Sequence, residues 1–419
     1  MTTPASELSA EHVLLIAMII LGAGALLGFV AKRLRVPDIV LFLLAGIVLG
    51  PQVLGVLVIP ASSTLSWIIL IFGASYILFD GGATLRLGVL SRIWISLLLI
   101  VTVGLLVTTF VTGWAAHWVL GIPITVGLLL GATVASTDPA TLVPVFKQVK
   151  VREKVAQMVV SESAFNDPMG AIVTFALLTI VVGGHSGVHI PIGKDALDFL
   201  TEVGIGIGAG LILGYVASFV IAHERYGFLI EYLPLVTLIA VIGGYLGAVG
   251  LNSSGFMAAF VAGIVVGNMS YVGLKIPREH EARFTDFVET TSMISRMFIF
   301  LLLGSQVKLD LIAVYWWQGL VIVAVFMFLA RPLTVLVSTL IDRRARWTWR
   351  ELVFIAWTRE TGVIPGALAS ILVADKAPHA DVLAAMTFMA ILITIIVQAT
   401  TAKWVAGKLS LLEDRPDRG

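Results

Sequence analysis

Long apolar runs follow one another along almost the whole chain of 419 residues, separated by short breaks that contain polar residues, glycine or proline. Charged residues make up 13% of the chain, against roughly 25% in soluble domains. A run of about 20 apolar residues can cross the hydrocarbon core of a bilayer as a helix. The runs therefore predict an all-α polytopic membrane protein, because in lipid a helix satisfies its backbone polar groups within its own segment.

The runs and their breaks predict about 13 transmembrane helices in a single integral membrane domain, residues 1–419, with no soluble regulatory domain. The predicted spans are residues 12–31, 37–58, 64–82, 89–118, 123–146, 154–183, 196–222, 229–250, 254–273, 284–307, 309–341, 351–374 and 381–409. Most of the 27 lysine and arginine residues lie in alternate loops. Because basic residues are retained in cytoplasmic loops, we predict a multi-pass protein of the cell (inner) membrane, with its N-terminus outside and its C-terminus in the cytoplasm.

Net charge and cysteine content give further information about possible functions. A net charge of +1 gives no indication of a nucleic-acid partner, and a chain without cysteine has neither disulfides nor thiol chemistry. We expect no cofactor. The lipid bilayer is the first partner that the sequence predicts.

Two predicted spans are broken at corresponding positions in the two halves of the chain. Span 5 is interrupted at Thr137–Pro139, where proline removes a backbone donor and disfavours helical geometry in the residue before it. Span 12 is interrupted at Thr358–Gly366. Spans 1–6 (residues 12–183) and 8–13 (residues 229–409) would then be two inverted six-helix repeats with discontinuous helices, joined by a linker span (residues 196–222). Paired breaks of this kind indicate the substrate site of a transporter.

Span 6 carries the polar segment Ser161–Pro168 between two apolar stretches. A carboxylate in hydrocarbon costs about 3 kcal/mol, and this segment contains two, Glu162 and Asp167. Ser163 and Asp167 are four residues apart, as are Glu162 and Asn166, so each pair lies on one side of the helix. The segment is therefore a candidate functional site.

Asp167 and Ser163 offer oxygen ligands, and the exposed carbonyl groups around Ala135–Thr137 in the broken span 5 can add more. Oxygen ligands suit a hard cation such as Na⁺, and a carboxylate also accepts a proton. Asp167 would hold either a cation or a proton but not both, which is the simplest mechanism of exchange. We therefore predict an ion- and proton-binding site at Asp167, Ser163 and Thr137.

Glu162 needs a partner if it is ionised. Arg331, in the otherwise apolar span 11, is the candidate, because an arginine without a carboxylate would be very costly there. We interpret the two residues as a structural ion pair that supports the packing of the helices around the site.

Four further charged residues have two interpretations each. Asp80, at the inner end of span 3, is either a ligand of the site or a charge at the membrane interface. Asp138 is either a ligand or the cap of the half-helix that follows it. Arg359 and Glu360, in the break of span 12, neutralise either each other or the end of a half-helix.

With the element Glu162–Asp167 (Glu-Ser-Ala-Phe-Asn-Asp), the chain resembles the monovalent cation/proton antiporter-1 family, which contains the NhaP-type bacterial sodium/proton antiporters and the animal sodium/proton exchangers. The resemblance covers essentially the whole chain. Its other motifs are Leu78–Gly82, Thr137–Pro139, Ala330–Arg331, Ser254–Phe256 and Gly267–Asn268. It implies the sodium/proton antiporter fold, a homodimer, and exchange by movement of a core domain against a dimerisation domain.

The resemblance also implies a role for each residue of the candidate site. According to this resemblance, Asp167 is the ion- and proton-binding carboxylate. In the family, members with an Asn-Asp pair in place of Asp-Asp perform electroneutral exchange. The other implied roles are ligation by Ser163 and Thr137, a position around the site for Asp80 and Asp138, support of the unwound span 5 by Asn166, and pairing of Glu162 with Arg331. The chain departs from the family in span 12, where Thr358–Thr361 stands in place of the usual Gly-Leu-Arg-Gly. The added Glu360 bears on the role of Arg359 and on cation preference.

The favoured function is secondary active antiport, in which a monovalent cation, Na⁺ first, is exchanged for H⁺ by alternating access. A K⁺/H⁺ antiporter of the same fold and a cation channel are the alternatives. A buried aspartate that traps its ion favours alternating access over a channel. An intramembrane enzyme is disfavoured, because the apolar spans contain neither a Ser/His pair nor a His-Glu-x-x-His motif.

Overall fold

The computed structural model describes residues 9–34, 36–61, 63–137, 151–183, 192–222 and 228–412. Regular structure in these ranges is helical, apart from one isolated bridge between Val151 and Leu412. The helices take the number of the predicted span with which they overlap. They are α1 (Ala10–Leu34), α2 (Asp38–Leu49), α3 (Thr64–Ala83), α4 (Leu87–Leu120), α5 (Ile124–Ala135), α6 (Glu153–Gly183), α7 (Ile192–Ala222), α8 (Leu233–Gly250), α9 (Gly255–Gly267), α10 (Arg278–Ser305), α11 (Leu309–Thr339), α12a (Trp349–Trp357), α12b (Val363–Ala374) and α13 (Ala380–Lys408).

Nine of the helices in the described ranges are long and apolar enough to cross a membrane, and α2, α5, α9 and α12b are shorter apolar helices. The prediction of an all-α polytopic membrane protein is confirmed. The number of crossings, thirteen, stays a prediction.

The helices form two compact units, and neither unit is one half of the sequence. Unit 1 contains α3, α7, α8, α9 and most of α10. Unit 2 contains α2, α4, α5, α6, α11, α12a, α12b and α13. Each unit therefore collects helices from both halves of the chain.

Unit 1 is packed around α3 and α9. Phe79 of α3 is buried in one hydrophobic cluster with Ala259 and Ala262 of α9. A β-carbon at Gly263 would lie 2.1 Å from the Phe79 carbonyl oxygen. The two helices are therefore in backbone contact, which only glycine at this position permits.

Unit 2 is packed around α5, α11 and α13, which share one buried cluster that includes Leu129, Phe326 and Leu383. Helix α5 also lies close against α4, because a β-carbon at Gly131 would meet the Thr109 carbonyl oxygen at 2.2 Å. These contacts hold the C-terminal end of α5 inside the unit.

Both predicted helix breaks begin where the sequence indicates. Helix α5 ends at Ala135, and Ser136 is extended with ψ 148°. The rest of the predicted break, including Asp138, lies outside the described residues. Helix α12a ends at Trp357 and α12b begins at Val363, so the break of span 12 is confirmed over residues 358–362, whereas residues 363–366, which the prediction included, are helical.

Three long helices contain a π-helical segment, which the sequence did not predict. The segments are Ile100–Gly104 in α4, Phe326–Ala330 in α11 and Ile395–Ala399 in α13. Such segments are rare in proteins, and those that occur are often at functional sites. The one in α11 ends directly before Arg331.

Candidate ion-binding site

The unwound end of α5 lies against the polar segment of α6. The Thr137 hydroxyl donates a hydrogen bond to the Ser163 hydroxyl oxygen (2.8 Å), and the Ser136 hydroxyl donates to the Asn166 carbonyl oxygen (3.4 Å). Thr137 and Ser163 are each only 3% exposed. The structure therefore brings two of the three predicted ion ligands into contact inside unit 2.

Asp167 lies one helical turn beyond Ser163 and is buried. Gly170 follows one turn later, and a β-carbon there would lie 2.2 Å from the Ser136 hydroxyl oxygen. The glycine thus lets the unwound end of α5 approach α6 beside Asp167. A carboxylate and two hydroxyl groups from two elements are hard oxygen ligands of the kind that a monovalent cation takes.

Glu162 forms the ion pair with Arg331 that the sequence predicts. The guanidinium binds both carboxylate oxygens, with Arg331 Nη1 against Oε1 and Nη2 donating to Oε2 at 2.8 Å. Arg331 Nε and Nη2 also donate to the Ile355 carbonyl oxygen of α12a at 3.1 and 2.7 Å. Asn166 Nδ2 donates to Glu162 Oε1 at 3.3 Å. All these side chains are buried, so the charge of Glu162 is neutralised by fixed donors.

Asn166 contacts the unwound end of α5 through its main chain rather than through its side-chain amide. Its carbonyl oxygen accepts the bond from Ser136, and its amide Nδ2 is directed to Glu162. Within the described ranges, support of span 5 by Asn166 is therefore a backbone contact. The side-chain amide of Asn166 instead bonds to Glu162, and so connects the ion pair to the residue next to Asp167.

Arg359, in the break between α12a and α12b, reaches the end of α5. Its Nη1 donates to Thr108 Oγ1 at 2.8 Å, its Nη2 donates to the Ala135 carbonyl oxygen, and its Cζ lies 5.2 Å from the centre of the Phe326 ring. A cation is stabilising at the C-terminal end of a helix, where carbonyl groups lack intrahelical donors. Of the two sequence interpretations, these contacts fit neutralisation of a half-helix. Glu360 is buried in the same non-helical segment.

The other two predicted site residues are Asp80 and Asp138. Asp80 is partly buried in the last turn of α3, which belongs to unit 1. Asp138 lies outside the described residues. The described part of the site is therefore formed by α5, α6, α11 and the break of span 12, all within unit 2.

Sequence reasoning missed several residues that build the site. Gly170 carries a weak signal, because it lies four residues after Asn166 and so on the same side of α6. Ser136 lies within Ala135–Thr137, where carbonyl ligands were predicted, but the bond from its hydroxyl group to the Asn166 carbonyl oxygen was not predicted. Thr108 and the Ile355 carbonyl group carry none, because hydroxyl and carbonyl groups recur along every span and only the fold selects one.

Two interrupted helices joined by Arg359, one of them ending beside a buried carboxylate, are the arrangement typical of ion sites in secondary transporters. Residues 16–408 match the family described as sodium/hydrogen exchanger, transmembrane. This match covers nearly the whole chain. The chain belongs to the sodium/hydrogen exchanger family.

Individual relatives agree with this assignment. The chain is 31% identical to Na⁺/H⁺ antiporter 1 of Methanocaldococcus jannaschii, over 92% of this chain and 93% of that protein. It is 27% identical to the K⁺/H⁺ antiporter NhaP2 of Shewanella sp. strain MR-4, over 96% of this chain and 67% of that protein. The solved structure of the sodium proton antiporter MjNhaP1 from M. jannaschii at pH 8 matches with a TM-score of 0.80 and 29% identity, over 95% of this chain and 99% of that one.

Proposed function

We propose that the protein is a secondary active antiporter that exchanges a monovalent cation, Na⁺ first, for H⁺, and that Asp167 binds both ions in turn. The observation that carries this proposal is the burial of Asp167 on α6 beside the Thr137–Ser163 contact, where α5 is unwound. Unwound backbone leaves carbonyl groups free to ligate a cation. The relatives named Na⁺/H⁺ and K⁺/H⁺ antiporters support cation/proton antiport.

The arrangement of charges accounts for coupling. A proton on Asp167 removes the charge that attracts the cation, and a bound cation excludes the proton, so the two compete for one carboxylate. The Glu162–Arg331 pair is neutral by itself, so we expect it to keep its charge state whichever ion is bound. One carboxylate that takes one cation or one proton predicts electroneutral exchange.

We infer that the two halves of the chain are inverted repeats. Helices seven apart in order share local features, and this supports the inference. Both α2 and α9 are short, with 12 and 13 residues. Both α4 and α11 contain a π-helical segment, and both span 5 and span 12 are interrupted.

We also infer a homodimer in the cell membrane, with the N-terminus outside and the C-terminus in the cytoplasm. The distribution of basic residues supports the orientation, and the family resemblance supports the dimer. The chain contains no cysteine, so single cysteines placed in successive loops can be labelled from either side without background. Labelling of both predicted sides by one impermeant reagent would contradict the orientation.

The decisive experiment uses the purified protein in vesicles that contain a pH-sensitive dye. We expect addition of Na⁺ to move protons, and Asp167→Asn to abolish this movement while the melting temperature stays close to that of the wild type. Asp375→Asn, which makes the same change at an exposed residue, is the matched control and should exchange normally. Cation-driven proton movement retained in Asp167→Asn would overturn the role of Asp167.

The same vesicles separate the alternatives. Addition of Na⁺, K⁺ and Li⁺ in turn gives the cation preference, and a response to K⁺ alone would make the protein a K⁺/H⁺ antiporter. A channel would conduct the cation without a proton gradient and would give a steady current under voltage. An electroneutral antiporter gives no such current.

A further inference from the structure

Helix α12a and the last part of α13 lie side by side and run in opposite directions. At one end, Trp357 Nε1 donates to Thr401 Oγ1 at 2.9 Å. At the other end, Arg152 joins the two helices, because its backbone N–H donates to the Leu411 carbonyl oxygen (3.0 Å) and its guanidinium lies 3.9 Å from Glu351. The start of α12a is therefore level with the end of α13.

Two tryptophans and two basic residues are exposed at this level. They are Trp349 and Arg350 of α12a and Trp404 and Lys408 of α13, here called the Trp-basic patch. Both tryptophans are 65% exposed. Arg350 Cζ lies 5.8 Å from the centre of the Trp349 ring, and Lys408 Nζ lies 6.0 Å from that of Trp404. Each cation is thus held beside an exposed aromatic ring.

The charge of the Trp-basic patch is not offset by an acidic residue of α12a or of the last part of α13. The segment Thr400–Lys408 contains no acidic residue. Glu351 is the acidic residue of α12a, but it is buried and engaged elsewhere. Its Oε2 lies 3.2 Å from Lys154 Nζ and accepts the Thr348 backbone N–H at 2.8 Å. Among the described residues of these two helix segments, the exposed side of the patch is therefore positive.

An apolar surface adjoins the patch on the side toward Trp357. Val353, one turn after Trp349 on α12a, is 47% exposed. Phe328 of α11 is 63% exposed, and its ring centre lies 6.4 Å from that of Trp357. A positive edge with tryptophans, continued by exposed apolar side chains, is complementary to an amphiphile with an anionic head and acyl chains.

We propose that the Trp-basic patch binds an anionic glycerophospholipid, with its phosphate between Arg350 and Lys408 and its acyl chains along Val353 and Phe328. Arginine and lysine bind phosphate through charge-assisted hydrogen bonds, and tryptophan rings lie at the level of the headgroups in membrane proteins. Each basic side chain near an anionic lipid surface contributes about five-fold in affinity.

The test compares lipid binding by the delipidated protein in detergent, measured as the shift in melting temperature when phosphatidylglycerol or phosphatidylcholine with the same acyl chains is added. We expect phosphatidylglycerol to bind the wild type more tightly. The double variant Arg350→Gln/Lys408→Gln should lose about thirty-fold in that affinity. Trp404→Leu should weaken phosphatidylglycerol binding and leave phosphatidylcholine binding unchanged.

The matched control is Arg343→Gln/Arg344→Gln, which removes the same charge from two exposed residues outside the patch. It should retain wild-type affinity for phosphatidylglycerol. An equal loss in the control would show a general effect of charge and would overturn the proposal, as would equal binding of the two lipids by the wild type. A shift produced by inorganic phosphate alone would identify a free anion rather than a lipid as the ligand, and would also overturn it. The outcome is independent of ion exchange, which the variants should retain.

Discussion

Glu162 and Asp167 are two carboxylates on the same helix, both buried, yet their surroundings differ in kind. Glu162 receives a two-point contact from Arg331 and a third donor from Asn166. Asp167 lies one helical turn from Ser163, where the unwound end of α5 meets α6 and the Thr137 and Ser163 hydroxyl groups are bonded to each other. The first environment fixes one charge state, and the second contains ligands that suit either of two ions. Burial alone therefore does not distinguish the two acids, whereas the unwound backbone beside Asp167 does.

The largest expected effect is at the fixed carboxylate. Glu162→Ala leaves the buried Arg331 guanidinium without its carboxylate, and breaking a buried pair in this way costs about 3–5 kcal/mol in the free energy of unfolding. Thermal unfolding followed by intrinsic fluorescence should show a large fall in melting temperature. An unchanged melting temperature would show that the pair has no structural role. It would also show that Glu162 does not differ from Asp167 in the way described above.

A double variant sharpens the same comparison. Glu162→Met/Arg331→Met removes both charges together and should be less destabilised than Glu162→Ala, because no unpaired charge remains. Some loss persists, since the Ile355 carbonyl oxygen loses both of its donors from Arg331. A double variant as unstable as the single one would show that the hydrogen bonds to α12a matter more than the ion pair.

Asp342 extends the comparison to a buried acid outside the membrane spans. Burial opposes its ionisation, but its carboxylate accepts hydrogen bonds from the Ser96 hydroxyl (2.7 Å) and from three backbone N–H groups, those of Ser96, Arg344 and Ala345. These bonds outweigh burial, so the pKa of Asp342 lies below its ordinary value of 3.8. Neutral donors in the described residues thus stabilise this carboxylate.

The sign of this pKa shift gives a pH dependence. A lowered pKa in the folded state means that the ionised Asp342 stabilises the fold fully above its ordinary pKa, and that this contribution is lost as the pH falls through the folded value. Asp342→Asn should therefore cost about 2 kcal/mol near neutral pH, and its difference from the wild type should shrink in acid. Melting curves from neutral pH downward test this, and a difference that grows in acid would contradict it.

The smallest expected effect is at Gly170. In Gly170→Ala the new methyl group forces the Ser136 hydroxyl to turn away, which removes its bond to the Asn166 carbonyl oxygen. We expect a loss of about 1 kcal/mol in stability and a weaker apparent affinity for the transported cation, measured as a higher KM in vesicles. Gly208→Ala on α7, where a β-carbon meets open space, is the control. Identical KM values for both variants would show that the Ser136 hydrogen bond does not contribute to cation binding.

The sequence predicted the features of this site that physical cost makes rare. An unpaired carboxylate or arginine inside an apolar span is costly, so the Glu162–Arg331 ion pair could be inferred from the sequence alone. Proline and glycine marked the two breaks. The bond from Arg359 to the end of α5 could not be inferred, because any carbonyl group could have served. The π-helical segments have no known residue signature here and appear only in the fold.

The bond between Arg359 and the Ala135 carbonyl group has a mechanical consequence. A guanidinium that lost this acceptor and Thr108 within hydrocarbon would carry an unsolvated charge. The interrupted segments of spans 5 and 12 therefore resist sliding past each other. We expect them to move as one rigid body during the conformational change of transport. In the proposed mechanism, the two segments would keep their spacing while the site changes sides, so that the cation preference of the site would be the same on both sides of the membrane.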